Sequence, residues 1–195
     1  MGKELVYGSA RSAFRHDGVA RRLVTEFKFG GQPVLGRLMA DLARPAFAEY
    51  AASIAPEGEL FVTWVPTHRS SKRERGYNQA EILARRLASE LNSLPCGELA
   101  VKTAGTRHQK GLGKADRLSN LRGAFSVHPM WRAKMELAVG GTTSPGFSAI
   151  LLVDDVFTTG ATTTAVSSVL TSQTGLPVHV FTFSRAVAGG VEGHD

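Results

Sequence analysis

The 195-residue chain has one cysteine, Cys96, so it forms no intrachain disulfide and no cysteine-based metal cluster. Cys96 itself reads as a small, half-buried residue near a loop. No uninterrupted apolar run approaches the ~20 residues of a membrane-spanning helix. The first residues, MGKELVYGSARSAFRH, lack the apolar segment of a secretory signal, and Val6 stands where a myristoylation pattern requires Ser or Thr. These absences set the expectation of a cytoplasmic globular protein, which 43% hydrophobic residues and a mean hydropathy of -0.07 also fit. Acidic residues are outnumbered, 17 against 23 Lys and Arg, giving a net charge of +6 and a pI of about 9.8. Such an excess attracts phosphorylated ligands or nucleic acid and does not choose between them. Aromatic residues are only 8% of the chain and do not interleave with its basic clusters, so no stacking platform for single strands is evident.

What is present is concentrated in Ala149 to Thr164, AILLVDDVFTTGATTT. The aliphatic run Ala149–Val153 fits a strand buried on both faces, and Asp154 and Asp155 stop it. Thr158, Thr159, Gly160, Ala161, Thr162 and Thr163 follow, and then a helical pattern. A buried parallel strand delivers its C-terminal end to the crevice where ligands bind in open α/β sheets. The loop's N–H groups and the positive end of the next helix form an anion site, which Gly160 lets an oxygen approach closely. Ionised carboxylates only accept hydrogen bonds, so the acid pair suits vicinal hydroxyls. A phosphate beside a diol is a ribose 5-phosphate. Neither a Walker A lysine nor G-x-G-x-x-G is present.

Elsewhere, residues 1–18 show no period and are expected to be irregular. Helices are expected at Val19–Phe27 and Val34–Tyr50, the second with Leu35, Leu38, Met39, Leu42, Ala43 and Ala46 on a core face and a candidate kink at Pro45. Residues 53–58 read as a loop. Leu60–Val65 reads as a second buried strand, followed by Thr67, His68 and a basic loop with Arg69, Lys72, Arg73 and Arg75. That loop is a seat for a pyrophosphate, through guanidinium contacts. A helix runs from there to about Leu91, with Leu83, Leu87 and Leu91 in a ladder. Short strands are expected at Leu99–Lys102 and Ala124–Val127, with a long polar loop over residues 103–125 that includes a short helix at Ala115–Leu121. Met130–Ser148 is poorly patterned. A helix ending near Gly175, a strand at Val178–Phe183 and a loose tail after Arg185 complete the chain. The order α, α, β, α, β, loop, β, α, β predicts one α/β domain with a parallel sheet flanked by helices, and both phosphate-type loops at one sheet edge.

VDDVFTTGATTT closely resembles the signature of type I phosphoribosyltransferases. Three further motifs resemble the ComF family, the competence-associated, phosphoribosyltransferase-like proteins: FKFGG at Phe27–Gly31, VPTHRSSKRERGYNQA at Val65–Ala80, and TRHQKGLGKADRLSNLRGAF at Thr106–Phe125. The match covers roughly residues 20–185. It implies a type I phosphoribosyltransferase fold over residues 1–195, with an N-terminal hood at about 19–58, a core at 60–185 and a tail at 186–195. It implies binding of 5-phosphoribosyl-1-diphosphate (PRPP) with Mg²⁺, the metal held mainly by the ligand and not by a dedicated protein site. Asp154 and Asp155 would match the ribose-hydroxyl ligands, and Thr158–Thr162 the 5′-phosphate loop. Thr67, His68 and Arg69 would match the pyrophosphate loop, with Arg69 neutralising the leaving group. Gln109, Arg117 and Asn120 would fall in a flexible lid. Family members commonly carry an N-terminal zinc ribbon with paired cysteines, which this sequence does not show. Either this member lacks it or its start is shortened.

Three functions stay open from sequence. One is phosphoribosyl transfer to an unidentified nucleophile, linked to DNA uptake. Another is a non-catalytic factor in competence or recombination that senses PRPP or associates with single-stranded DNA. A transcription regulator on the same fold is the third. Hypoxanthine-type enzymes have a purine-binding aspartate where this chain has Thr158, which cannot take a proton near neutral pH and counts against such salvage. The acceptor, the protein partners and a homodimer are left undecided.

Overall fold

A computed structural model describes residues 6–56, 59–91, 94–103, 121, 123–140 and 146–186. The long polar loop with Gln109, Arg117 and Asn120, its short helix, most of the connector before Phe147, and the tail beyond 186 lie outside the described residues.

Four strands form one parallel sheet: β1 (Ala10–Arg15), β2 (Glu59–Trp64), β5 (Phe147–Phe157) and β6 (Val178–Arg185), in the order β1-β6-β5-β2. The central strands β5 and β6 are covered on both faces, which is why they read as near-continuous apolar runs. Side chains alternate along them with the strand period. Leu151, Val153, Phe181 and Phe183 enter one core with α1 (Gly18–Phe29), α2 (Val34–Ile54) and α4 (Gln79–Glu90). Ile150, Leu152, Val178 and Val180 enter the other with α6 (Ala161–Thr174), α5 (Trp131–Ala138) and a small antiparallel ribbon of β3 (Ala100–Lys102) and β4 (Phe125–Val127). The expected α/β architecture with a parallel sheet flanked by helices is therefore present.

Several elements differ from the sequence expectation. The first residues are not all irregular, because Ala10–Arg15 forms the edge strand β1. Its residues are only partly covered, so apolar alternation is weak there. The basic loop after Thr67 contains a helix, α3 (Arg69–Arg75), which buries none of its residues and hence carries no apolar period. Its ends are set by local chemistry: His68 Nδ1 accepts from Ser70 N, and Gly76 closes the helix with φ +82°. Trp131–Ala138 is a helix that buries only Met135, so it too lacked a pattern. The acid pair does not stop β5, which runs on to Phe157 with Asp154 in register with Thr182. α2 passes through Pro45 and reaches Ile54.

The buried face of α2 matches the expected one in part: Met39 and Ala43 are buried, and Leu35 and Ala46 pack against the core. Leu38 and Leu42 are 46% and 47% exposed, whereas Gly36, Ala40, Ala43, Phe47 and Ala51 are buried. Small side chains let α2 approach its neighbours. A methyl at Gly36 would lie 2.5 Å from Ile82 Cγ2 and 2.8 Å from Phe27 Cζ. The expectation thus fails at Leu38 and Leu42, where close packing selects small residues instead.

Candidate functional site

Because the sheet is parallel, its strands discharge their C-terminal ends at one edge. A cleft of about 530 Å³ opens there, within the ordinary range for small-molecule sites. Asp154 and Asp155 at the end of β5, Thr158 and Thr162 around the start of α6, and Thr67 after β2 all line it. The two loops expected to share one edge do so. His68, Arg69, Thr159, Gly160 and Ala161 are not among the lining residues. His68 is occupied as the N-cap of α3, and Arg69 is the exposed first residue of that helix. Thr159 Oγ1 accepts from Ala161 N at 3.4 Å. Gly160 begins α6 in the left-handed region with φ +74°, while Ala161 is buried beside Leu121 and Ala165.

The helix start has no side-chain N-cap. The Ala161 N–H is held by Thr159, and the next N–H groups and the positive end of the 14-residue helix face the cleft at Thr162. Gly160 suits this tight entry, since a methyl there would lie 2.7 Å from the Phe157 ring.

The acid pair is asymmetric. Asp155 is 7% exposed, and its Oδ2 lies 2.9 Å from Lys28 Nζ at the end of α1. Asp154 Oδ1 accepts from the Asp155 N–H at 2.9 Å, and Asp154 has no basic side chain bonded to it among the described residues. Burial, and then the neighbouring Asp155 charge, push the Asp154 carboxyl up to about 8.

Lys28, Arg75 and Lys102 line the cleft as well, so its cations outnumber its carboxylates. Lys102 sits 5.6 Å from the Phe125 ring centroid, and burial lowers its pKa. Arg75 Cζ sits 5.5 Å from the Phe29 ring centroid. Gln79 is 4% exposed, and its amide nitrogen has no hydrogen-bond partner among the described residues.

Sequence reasoning singled out none of Lys28, Lys102, Gln79 or His16 as site residues. Lys28 carried a legible signal, a basic residue at the apolar end of a helix within FKFGG. His16 carried none, because it follows the strand that went unread. Among the described residues no group of three or more His, Cys, Asp or Glu side chains is gathered for a metal ion.

Three of the motifs that carried the family resemblance, those with Phe27, Tyr77 and Asp155, meet in space. Tyr77 OH donates to Phe27 O at 2.6 Å, and the two rings stack with centroids 5.4 Å apart. RGYNQA thus holds the end of α1, and with it Lys28, over the sheet edge.

No family model matches the chain. Among curated proteins it is 30% identical over 164 residues to competence protein F of Haemophilus influenzae, covering 84% of this chain and 67% of that protein. This chain belongs to the competence protein F (ComF) family. It is also 28% identical over 123 residues to the DNA utilization protein YhgH of Escherichia coli and of Shigella flexneri, covering 63% of this chain. It spans only 48% of the length of those two proteins.

Proposed function

We propose that the cleft binds PRPP with Mg²⁺ on a type I phosphoribosyltransferase fold, and that the chain transfers the phosphoribosyl group to a nucleophile in a process connected with DNA uptake or use. The observation that carries this reading is the meeting of Asp154 and Asp155 with the uncapped start of α6 in one cleft. The carboxylates accept from the two ribose hydroxyls. Thr158, Thr162 and the N–H groups of α6 receive the 5′-phosphate. Thr67 and the cations Arg75 and Lys102 face the diphosphate. Arg69, expected in that role, lies on the exposed side of α3 and reaches the cleft only by moving.

The donor set fits Mg²⁺, which takes one or two carboxylates together with ligand phosphates in preference to an all-protein cage. When bound, the metal neutralises charge on the departing pyrophosphate. The chain's own cations do the same from fixed positions, which lowers the barrier as negative charge builds on the leaving oxygen. The connection with DNA is supported by the names of the relatives, competence protein F and DNA utilization protein.

Calorimetric titration with PRPP and Mg²⁺ tests the reading. Wild-type protein is expected to bind in the micromolar range, on the order of -7 to -8 kcal/mol, and Asp155→Asn to bind much more weakly. No wild-type binding removes the sugar-phosphate reading. The non-catalytic alternative then leads, supported by the +6 charge and by the same relatives. Salt-sensitive binding of single-stranded DNA would be its mark.

A further inference from the structure

We propose that His16 is the general base that takes the proton from the incoming nucleophile, an inference that rests on the phosphoribosyl-transfer reading of the cleft. Transfer to a nitrogen nucleophile forms an N–C1′ bond and breaks the C1′–O bond to pyrophosphate. Pyrophosphate departs with the electron pair, and the nucleophile must lose one proton. Thr158 cannot accept it. Lys28 is committed to Asp155, Arg75 remains protonated, and Asp154 and Asp155 are assigned to the ribose hydroxyls.

His16 is delivered to the reacting edge by β1. That strand runs parallel to β6, with Arg15 opposite Arg185, so the next residue emerges at the C-terminal side of the sheet. His16 N donates to Arg185 O at 2.8 Å, which fixes the backbone. The ring is fixed as well: Nδ1 lies 2.9 Å from Oγ of the fully buried Ser184. Assigning the Nδ1 proton to that bond leaves the lone pair on Nε2, which has no partner among the described residues. His16 lines the same cleft as Asp155 and Lys28.

The charges around the ring favour its neutral form. Burial first, then Lys28 and Arg21 of α1, lower its pKa from the ordinary 6.5, against the opposing pull of Asp155 on β5 and Asp17 in the turn. A neutral imidazole near physiological pH is poised to accept a proton.

The test compares wild type with His16→Gln, which keeps the size and a polar contact to Ser184 without the basicity. PRPP binding is followed by calorimetry. Pyrophosphate release is followed with ammonium, primary amines and free nucleobases as nucleophiles, across the pH range around neutrality. The expected result is unchanged PRPP affinity and a fall in kcat/KM of about 100-fold or more. At saturating PRPP, where Asp154 has already lost its proton, the variant should also lose the limb by which wild-type kcat rises with pH below 6.5. The ionisation of Asp154 acts on PRPP affinity and so on kcat/KM, alike in both proteins.

An acid limb of kcat at saturating PRPP that persists in His16→Gln, or that disappears in Lys102→Met instead, overturns the assignment. So does a wild type that binds PRPP yet releases no pyrophosphate with any nucleophile. Absence of PRPP binding in the wild type removes the functional reading and the base together, whereas binding with an unaltered pH profile removes the base alone.

Discussion

Lys28 Nζ lies 2.9 Å from Asp155 Oδ2, tying the last turn of α1 to the C-terminal end of β5. Both groups are largely shielded, with side chains 27% and 9% exposed, so the pair is not an ordinary surface contact. Removing one partner strands the other charge away from water. Lys28→Met is expected to lower stability by about 1–3 kcal/mol. The double variant Lys28→Met/Asp155→Asn should recover part of that loss, since no charge is left unpaired. Urea midpoints of the four proteins give the coupling, and strictly additive losses would show that the pair contributes nothing.

Asp154 makes stability and ligand binding respond to pH in opposite directions. Its folded pKa is raised, from 3.8 to about 8. Across that window the folded state holds a proton that the unfolded state has lost, so stability falls as pH rises. Asp154→Asn abolishes that fall. At the alkaline end it should melt several degrees above wild type, the equivalent of about 1 kcal/mol or more. A carboxylate that accepts from ribose hydroxyls must first lose its proton, so PRPP affinity is expected to rise with pH up to about 8. Calorimetry in buffers of different ionisation enthalpy should register proton release on binding. A melting temperature of Asp154→Asn that tracks wild type at every pH would contradict the account.

Gly160 and Gly175 mark the two ends of α6 with the same backbone angle, φ +74°. The space around them differs. A methyl at Gly160 would lie 2.7 Å from Phe157 Cζ, while nothing lies within 4 Å at Gly175. Gly175→Ala is expected to cost about 1 kcal/mol, the strain of a left-handed alanine, and to leave PRPP binding unchanged. Gly160→Ala should cost more, about 2–3 kcal/mol, and weaken PRPP binding as the helix start is displaced. Equal losses of stability from the two substitutions would mean that Phe157 yields at no cost.

How legible these features were follows from what each residue type signals on its own. Leu60–Val65, Ala149–Val153 and Val178–Phe183 could be read because both faces of the sheet are covered, leaving unbroken aliphatic runs. Asp154, Asp155 and the threonine loop could be read because polar residues directly after such a run have few structural reasons to be there. β1 could not, since an edge strand with small, partly exposed residues lacks both signals. His16 was lost with it, and its place beside Ser184 exists only through pairing across 168 residues of sequence. The α2 face was read in part: Met39 and Ala43 are buried as expected, but close packing selects Gly36 and Ala40 over the larger Leu38 and Leu42. The family motifs marked segments that matter, but not which of their residues hold structure and which face a ligand.

Asn78 shows how that last division can be measured. It lies in RGYNQA and lines the cleft, yet its polar atoms are engaged by backbone. Oδ1 accepts from Ala80 N at 3.1 Å to cap α4, and Nδ2 donates to Val65 O at 3.1 Å, tying that cap to the residue just after β2. Asn78→Ala removes a cap and leaves a buried carbonyl without its donor, a combined cost of about 2–3 kcal/mol. Asn78→Asp keeps the cap but loses the donor, so it should fall between alanine and wild type. Neighbouring Gln79 has its amide nitrogen unpartnered among the described residues, so Gln79→Leu is expected to change stability little. If the two residues divide as their hydrogen bonds do, Asn78 variants lower the urea midpoint and Gln79→Leu alters PRPP binding or acceptor use. The reverse pattern would mean that the cap contributes little and that Asn78 meets the ligand.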